Sequence, residues 1–341
     1  MKIAIVILNW NGVKLLEEFL PSVVNFSEDN PIYIIDNNSD DLSVDFIKKN
    51  HPNINIIINN ENYGYAKGYN EGLKKVDEEV YCLLNNDVQV TKGWLNPIIK
   101  EFESDNSLAV VQPKVLDYKN KNKFEYAGAA GGFIDYYGYP YCRGRIFDSV
   151  ELDNGQYDQN IDIFWASGAC FFIKKEVFNN LKGFDENFYC HMEEIDLCWR
   201  ITNFNSELKK RFVYKSVVYH LGGGSLSYND SKKLFYNIRN HYYMVTKNIE
   251  TSDLSYFFGF SRLSIINQIN MLLLFYYLIT FKFKSMWIFF KLLSSSGFAQ
   301  QQHKYFLLSK NNNTPRYYVI KSIIYNYLIL KKRKYSQLNK S

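Results

Sequence analysis

Several carboxylates in this sequence stand where an apolar run ends, a placement that leaves them free to meet a ligand. Leu83-Leu84-Asn85-Asn86-Asp87 closes such a run with two amides and an acid. Asp87 can offer an oxygen to Mg2+ or Mn2+, ions held by one or two carboxylates together with substrate phosphates; an acid in an ordinary turn is the plainer reading. Asp36 follows Ile32–Ile35 and precedes Asn37-Asn38-Ser39. There it can accept hydrogen bonds from a ribose or base, or simply cap a helix. Glu193, Glu194 and Asp196 lie within four positions, after the turn Gly183-Phe184-Asp185-Glu186. Crowded acids raise the proton affinity of at least one member, which suits a general base. A first helical turn also favours acids, but the apolar neighbours Ile195, Leu197 and Trp199 argue against a merely solvated face. His220 precedes Leu221-Gly222-Gly223-Gly224-Ser225. An imidazole there can ligate a metal or donate to a phosphate, while the glycines let backbone N–H groups turn toward an anion. Within Asn60–Asn70, the small residues Gly64, Ala66 and Gly68 at a helix entry allow backbone to approach a nucleotide. The P-loop and G-x-G-x-x-G fingerprints are absent from that stretch.

The elements that must carry these groups follow from periodicity. Ile3–Leu8, Ile32–Ile35, Ile54–Ile58 and Val80–Leu84 are short β-branched runs, separated by stretches long enough for helices. They read as parallel strands buried on both faces. Helices are expected over Val13–Val24, with Asn11 as cap, and over Ser43–Lys49, Tyr65–Val76 and Trp94–Glu103, with Thr91 in the last approach turn. The class is α/β, and the polar strand ends, from Asn9 and Asn11 to Asn85-Asn86-Asp87, should converge on one crevice. Lys119–Gln159 has no clear period and reads as loops and short strands, expected to form a mobile or substrate-facing insert. Ile161–Ile173 reads as a strand pair broken at Ser167-Gly168, and Glu193–Arg200 as a short helix. Beyond Ser225 the pattern is helical.

Charge is split along the chain. Residues 1–205 carry 19 Lys and Arg against 31 Asp and Glu, net −12, while 206–341 carry 21 against 4, net +17. A basic portion of this kind points to an anionic partner, a membrane face or a nucleic acid. No nucleic-acid reader motif accompanies it. Between Arg262 and Lys282, 19 residues lack charge, near the roughly 18 that can span a bilayer. Asn267, Gln268 and Asn270 interrupt that run, so an interfacial helix, a packed helix and a span all stay open. Lys282, Lys284, Lys291 and Lys331–Lys334 favour an anionic leaflet. The five cysteines form no C-x-x-C pair, which fits a reducing compartment. The six-residue apolar run Ile3–Leu8 is shorter than a signal-peptide core of roughly 7–15 residues, so no export is expected.

Taken in order, Asn9-Trp10-Asn11-Gly12, Asp36-Asn37-Asn38-Ser39, Asn60 to Asn70, Asn85-Asn86-Asp87, Gly168-Ala169, Gly183 to Glu186 with Glu193 to Arg200, and His220 with Gly222–Ser225 resemble family 2 glycosyltransferases, nearest to the rhamnosyltransferase-like branch. The likeness runs from about residue 2 to about residue 247. It implies a GT-A fold: a Rossmann-like, mostly parallel sheet with flanking helices, a nucleotide-sugar half over about 1–115, an acceptor half over 116–247, and a basic helical extension over 248–341. It further implies an inverting, metal-dependent hexosyltransferase. Asp36 would hold the nucleoside and Asn9 line the base, with Asn38, Gly64, Asn70, Asn86 and Ser225 as further donor contacts. Asp87 would bind Mg2+ or Mn2+, with His220 completing the diphosphate site, although Asn85 replaces the first acid of the family's D-x-D-like motif. The base matches Glu194, where the family's pair has Asp, with Glu193 as the alternate. The implied partners are a dTDP- or UDP-sugar donor and a polyprenyl-linked glycan acceptor, on the cytoplasmic side and peripheral to an anionic membrane surface, with no nucleic acid. The implied product is a unit of a cell-surface glycan such as an O-antigen or capsule. A non-catalytic nucleotide-sugar or glycan-binding module is the alternative.

Overall fold

The computed structural model describes residues 1–222, 231–249, 320 and 322–338. Four strands, β1 (Ile3–Asn9), β2 (Ile32–Asp36), β3 (Asn55–Ile58) and β4 (Val80–Asn85), fall where the β-branched runs predict them. They pair in parallel in the order β3-β2-β1-β4. The connecting helices α1 (Val13–Phe26), α2 (Ser43–Asn50) and α3 (Gly64–Leu73), with α4 (Leu95–Ser104) after the short β5 (Val88–Val90), likewise match the expected α/β alternation. In α1, Leu16, Phe19, Leu20 and Val23 recur at helical spacing and are buried, so one face of the helix closes one face of the sheet. The expected Asn11 cap is not used. Gly12 holds the cap position, and the Val13 N–H instead donates to Asp41 Oδ2 at 3.0 Å, 28 residues away.

The sheet continues past β4 with strands of reversed and mixed direction. β12 (Cys170–Lys174) runs antiparallel between β4 and β6 (Leu108–Asp117), and the twelve-residue β13 (Lys209–His220) returns parallel to β6. β11 (Ile161–Asp162) and β5 both pair antiparallel with β13. The Ile161–Ile173 segment therefore forms two strands that never pair with one another, because each finds a partner far along the chain. The expected insert is also different. Residues 132–150 form a separate antiparallel sheet of β7 (Gly132–Ile134), β8 (Pro140–Cys142), β9 (Arg145–Ile146) and β10 (Ser149–Val150). Phe124, Ile134, Tyr141 and Ile146 are at most 1% exposed, so this region adds core instead of draping over the surface. Three further helices follow: α5 (Lys175–Asn180), α6 (Glu193–Phe204) and, after β13, α7 (Ser231–Asn248). A short α8 (Ile323–Leu328) docks its first residue through an Ile323 N–H to Asp135 bond of 2.8 Å. The 263–281 segment and Lys282, Lys284 and Lys291 lie outside the described residues. Among the described residues no helix is long and apolar enough to cross a membrane.

Two apolar layers hold the sheet. Phe172 on β12 is fully buried and meets Trp94 at 5.6 Å between ring centroids. Phe172→Ala should lower the unfolding free energy by about 3–5 kcal/mol. The matched control Phe204→Ala, at a side chain 58% exposed, should change it by less than about 0.5 kcal/mol. Denaturant titration of both variants checks the pair.

Candidate functional site

Three of the four polar strand ends are tied into one network. Asn9 Nδ2 donates to Asp36 Oδ2 at 3.1 Å, and Asn9 Oδ1 accepts from Asn86 Nδ2 at 3.1 Å. Asp36, 1% exposed, also takes the Ser39 N–H on Oδ1 at 2.8 Å and the Ser39 hydroxyl on Oδ2 at 2.7 Å. Gly12 makes room for this net: a Cβ there would stand 2.4 Å from Asn9 Oδ1 and 2.5 Å from Asn86 Nδ2. Asn11 and Asn38 both adopt left-handed backbone, φ 48 and 58, a region that Asn tolerates better than most residues. Asn38 and the half-exposed indole of Trp10 stand at the surface beside this net. The third strand end joins differently. Asn59 Nδ2 donates to Asn37 Oδ1 at 2.7 Å, and Asn37 Nδ2 reaches the Gly64 carbonyl at 2.9 Å, so that net fixes the start of α3. Asn70 faces another way, with Nδ2 on the Phe184 carbonyl and Glu186 Oε1 and Oδ1 on the Phe184 N–H. Ser225 lies outside the described residues.

Asp87 and His220 meet because β5 pairs with the end of β13, with His220 opposite Val88. Asp87 Oδ1 stands 3.1 Å from His220 Nε2, and Asn85 Nδ2 is 3.4 Å from the same nitrogen. On the other ring edge, His220 Nδ1 lies 3.1 Å from Glu125 Oε2, at ion-pair distance but out of line for a hydrogen bond. All three side chains are under 10% exposed. Burial opposes a charge on the imidazole, yet Asp87 and Glu125 overcome it and raise the ring to about 10. Two donors on neighbouring positions of an octahedral ion, each at about 2.1 Å, stand about 3.0 Å apart. The Asp87–His220 spacing fits that arrangement once an ion displaces the Nε2 proton, and a carboxylate beside the far ring nitrogen is the usual way to orient a ligating histidine. Among the described residues no group of three or more His, Cys, Asp or Glu side chains could hold a metal ion. An ion at this place would therefore draw its remaining ligands from diphosphate and water. Glu125 was not found from the sequence, since it is a single acid in the unpatterned 119–160 stretch.

The acid cluster opens α6, and the structure separates its members. Asp196, fully buried, takes Arg200 Nε at 2.7 Å and Lys247 Nζ at 2.9 Å on Oδ2, and Asn248 Nδ2 at 2.8 Å on Oδ1. Its charge is compensated on every side. Glu193 is 4% exposed, and burial together with the neighbouring Glu194 charge raises its proton affinity well above the ordinary carboxylate range. Glu194 keeps partial exposure. Burial raises it to about 7, against the opposing pull of the Gly168, Glu194 and Ile195 N–H groups. Two carboxylates so placed titrate as a pair, with the more accessible one at Glu194. The chain enters this helix through Tyr189, His191 and Met192 at φ 64, 70 and 69, left-handed backbone that costs about 1–2 kcal/mol per ordinary residue.

The loop Gly168-Ala169 joins the two halves of the site. The Ala169 carbonyl accepts the Asn85 N–H at 3.0 Å, while Gly168 lies against the Glu194 carboxyl, a Cβ there standing 3.8 Å from Glu194 Cδ, and its carbonyl accepts the Tyr65 hydroxyl at 3.0 Å. Strand ends, His220 and Glu194 thus surround one region beyond the carboxyl ends of β1, β2 and β4, the position at which open α/β sheets take ligands.

A family model described as glycosyl transferase family 2 matches residues 4–182. The curated relatives include the low-salt glycan biosynthesis hexosyltransferase Agl10 of Haloferax volcanii, 22% identical over 60% of this chain and 62% of the relative. They also include an N-acetylglucosaminyl-diphospho-decaprenol L-rhamnosyltransferase of Mycobacterium tuberculosis, 21% identical over 53% of this chain and 64% of the relative. The chain thus spans less than two thirds of the length of either. Among solved structures, GalNAc-T7 with UDP, GalNAc and Mn2+ superposes with a TM-score of 0.56 at 19% identity, over 72% of this chain and 48% of that one. That likeness is one of fold, the GT-A arrangement implied by the ordered motifs. On the family match, which covers more than half of its length, the chain belongs to glycosyl transferase family 2.

Proposed function

We propose that the chain is an inverting glycosyltransferase that moves rhamnose or another hexose from a dTDP- or UDP-sugar to a hydroxyl of a growing, polyprenyl-linked cell-surface glycan such as an O-antigen or capsule unit. The observation that carries this reading is the meeting, across Gly168-Ala169, of the Asp87–His220 pair with a carboxylate poised near neutrality at Glu194. The names of the hexosyltransferase and rhamnosyltransferase relatives support it. Asn9, Asp36, Asn38, Gly64 and Asn86 form the nucleoside side. Their exposed surface, Asn38 and Trp10, is what a base and ribose would meet. Asp87 and His220 would hold Mg2+ or Mn2+, and such an ion supplies positive charge to the leaving diphosphate. Glu194 takes the proton of the acceptor hydroxyl while that oxygen bonds to the anomeric carbon. The bond from that carbon to the diphosphate oxygen breaks on the opposite face, which inverts the centre. Glu193, deeper in the fold, has its own proton affinity raised by burial and by the Glu194 charge.

Purified protein should release free nucleoside diphosphate from one member of a nucleotide-sugar panel, and excess EDTA should abolish that release. Full rates in EDTA would remove the metal, and binding without release would favour the non-catalytic module. Glu194→Gln should lower kcat for transfer by about 10²–10⁴-fold, whereas normal transfer by that variant would dismiss Glu194 as base. Because the base works ionised, kcat/KM should fall as pH drops below about 7 and level off above it; a flat profile between pH 5 and 8 contradicts the assignment.

We further place the chain at the cytoplasmic face, peripherally held by anionic lipid. Leu328, Ile329 and Leu330 are 50%, 65% and 47% exposed and run directly into Lys331-Lys332-Arg333-Lys334, an apolar tip beside a cationic group suited to a lipid interface. In liposome flotation the protein should rise with vesicles rich in phosphatidylglycerol and remain below with phosphatidylcholine alone. Equal behaviour in the two would count against it.

A further inference from the structure

The segment that delivers Glu193 and Glu194 is held from outside itself at every carbonyl. Asn187 and Phe188 accept from Arg239 Nη2 at 3.0 and 2.9 Å, and Tyr189 accepts the Tyr65 N–H at 3.0 Å. The amide of Asn240 reaches the same Phe188 carbonyl at 3.1 Å and two more acceptors, the carbonyls of Cys190 at 2.8 Å and His191 at 2.7 Å. Asn240 is fully buried, and its Oδ1 accepts Arg239 Nε at 2.9 Å. The orientation of its amide is therefore fixed, because three carbonyls can only be met by the nitrogen. Of the residues so held, Tyr189 and His191 are in left-handed backbone, and Met192, also left-handed, follows them with its carbonyl on the Asp196 N–H inside α6. Such backbone persists only where its surroundings over-determine it. One residue beyond Met192, α6 begins.

We propose that Asn240 is the positioning residue of the acid pair: one buried side chain on α7 holds the strained lead-in that sets where α6 starts, and so where Glu194 stands against Gly168. This rests on the reading of Glu194 as the base, and it extends the working site to a helix outside the residues matched by the family model. Asn240 touches no substrate in this account. Its effect passes through the backbone of 188–191.

The full chain, labelled with carboxyl-¹³C glutamate, tests this without a known substrate. Wild type, Asn240→Ala, Asn240→Gln and the control Thr246→Val are compared. Thr246 is buried on the same helix and bonds only to the Tyr242 and Tyr243 carbonyls within it. Asn240→Ala should speed amide exchange over 187–196 by about tenfold or more, with 3–9 and 80–85 unchanged, and should move the Glu194 carboxyl titration by about one pH unit. Asn240→Gln, which keeps the donor group, should lie between wild type and alanine on both readouts, and it decides the matter if the alanine variant is recovered unfolded. Thr246→Val should match wild type. The proposal is overturned if Asn240→Ala exchanges like wild type over 187–196, or if exchange rises while the Glu194 titration stays put, or if the sheet loosens equally. Failure of every nucleotide sugar to be hydrolysed would remove the transferase reading and leave these two readouts intact.

Discussion

A fully buried carboxylate, Asp196, is the interaction on which the rest of the site leans. An ionised acid in a protein interior costs several kcal/mol unless charges and donors surround it. Here Arg200, Lys247 and Asn248 do so. Those partners are themselves committed elsewhere: Arg200 to the Leu181 and Gly183 carbonyls, and Lys247 to Asp185. Satisfying one charge thus fastens α6, α7 and the 181–185 turn to each other. Asp196 is thereby spent on holding these elements together, and Glu193 and Glu194 are left as the two acids at the head of α6 without a cationic partner among the described residues.

The charge asymmetry of the sequence has, in part, an internal explanation. Lys209 and Arg211 pair with Glu101, Asp105 and Asp162, and Lys247 with Asp185 and Asp196. Some cations of the basic portion therefore neutralise the acidic body instead of awaiting an external anion. The exposed pairs add little stability singly; their weight lies in matching late strands and helices to early ones. Lys331-Lys332-Arg333-Lys334 beside exposed aliphatics, like Lys215 on β13, is a described part of the basic portion that still faces outward.

What could be read from the sequence was whatever is encoded locally. Period and β-branching marked β1 to β4 and their helices to within a few residues, strand-end amides and acids marked Asp36 and Asp87, and the crowding of three acids marked Glu194. What escaped depends on contacts between distant positions. Asp41 caps α1 across 28 residues, Glu125 meets His220 across 95, and Asn240 reaches the 188–191 backbone from about 50 away. Each is a lone polar residue without a motif. The amide of Asn70 shows the converse: it stood in a recognisable block, yet its bonds go to the 183–186 turn. Short strands were legible within 119–159, but their positions and their pairing into the antiparallel sheet of 132–150 escaped, because strands of two or three residues show no period.

His220 owes its place to register. It closes a strand that pairs with β6 on one side and β5 on the other, and the pairing with β6 already absorbs an irregularity between Val213 and Val217. Side chains alternate faces along a strand, so a slip of one residue would turn His220 away from Asp87. The pair therefore depends on the length of the strand as well as on its side chains: a single-residue insertion or deletion between Val217 and His220 would dismantle it with every site residue intact.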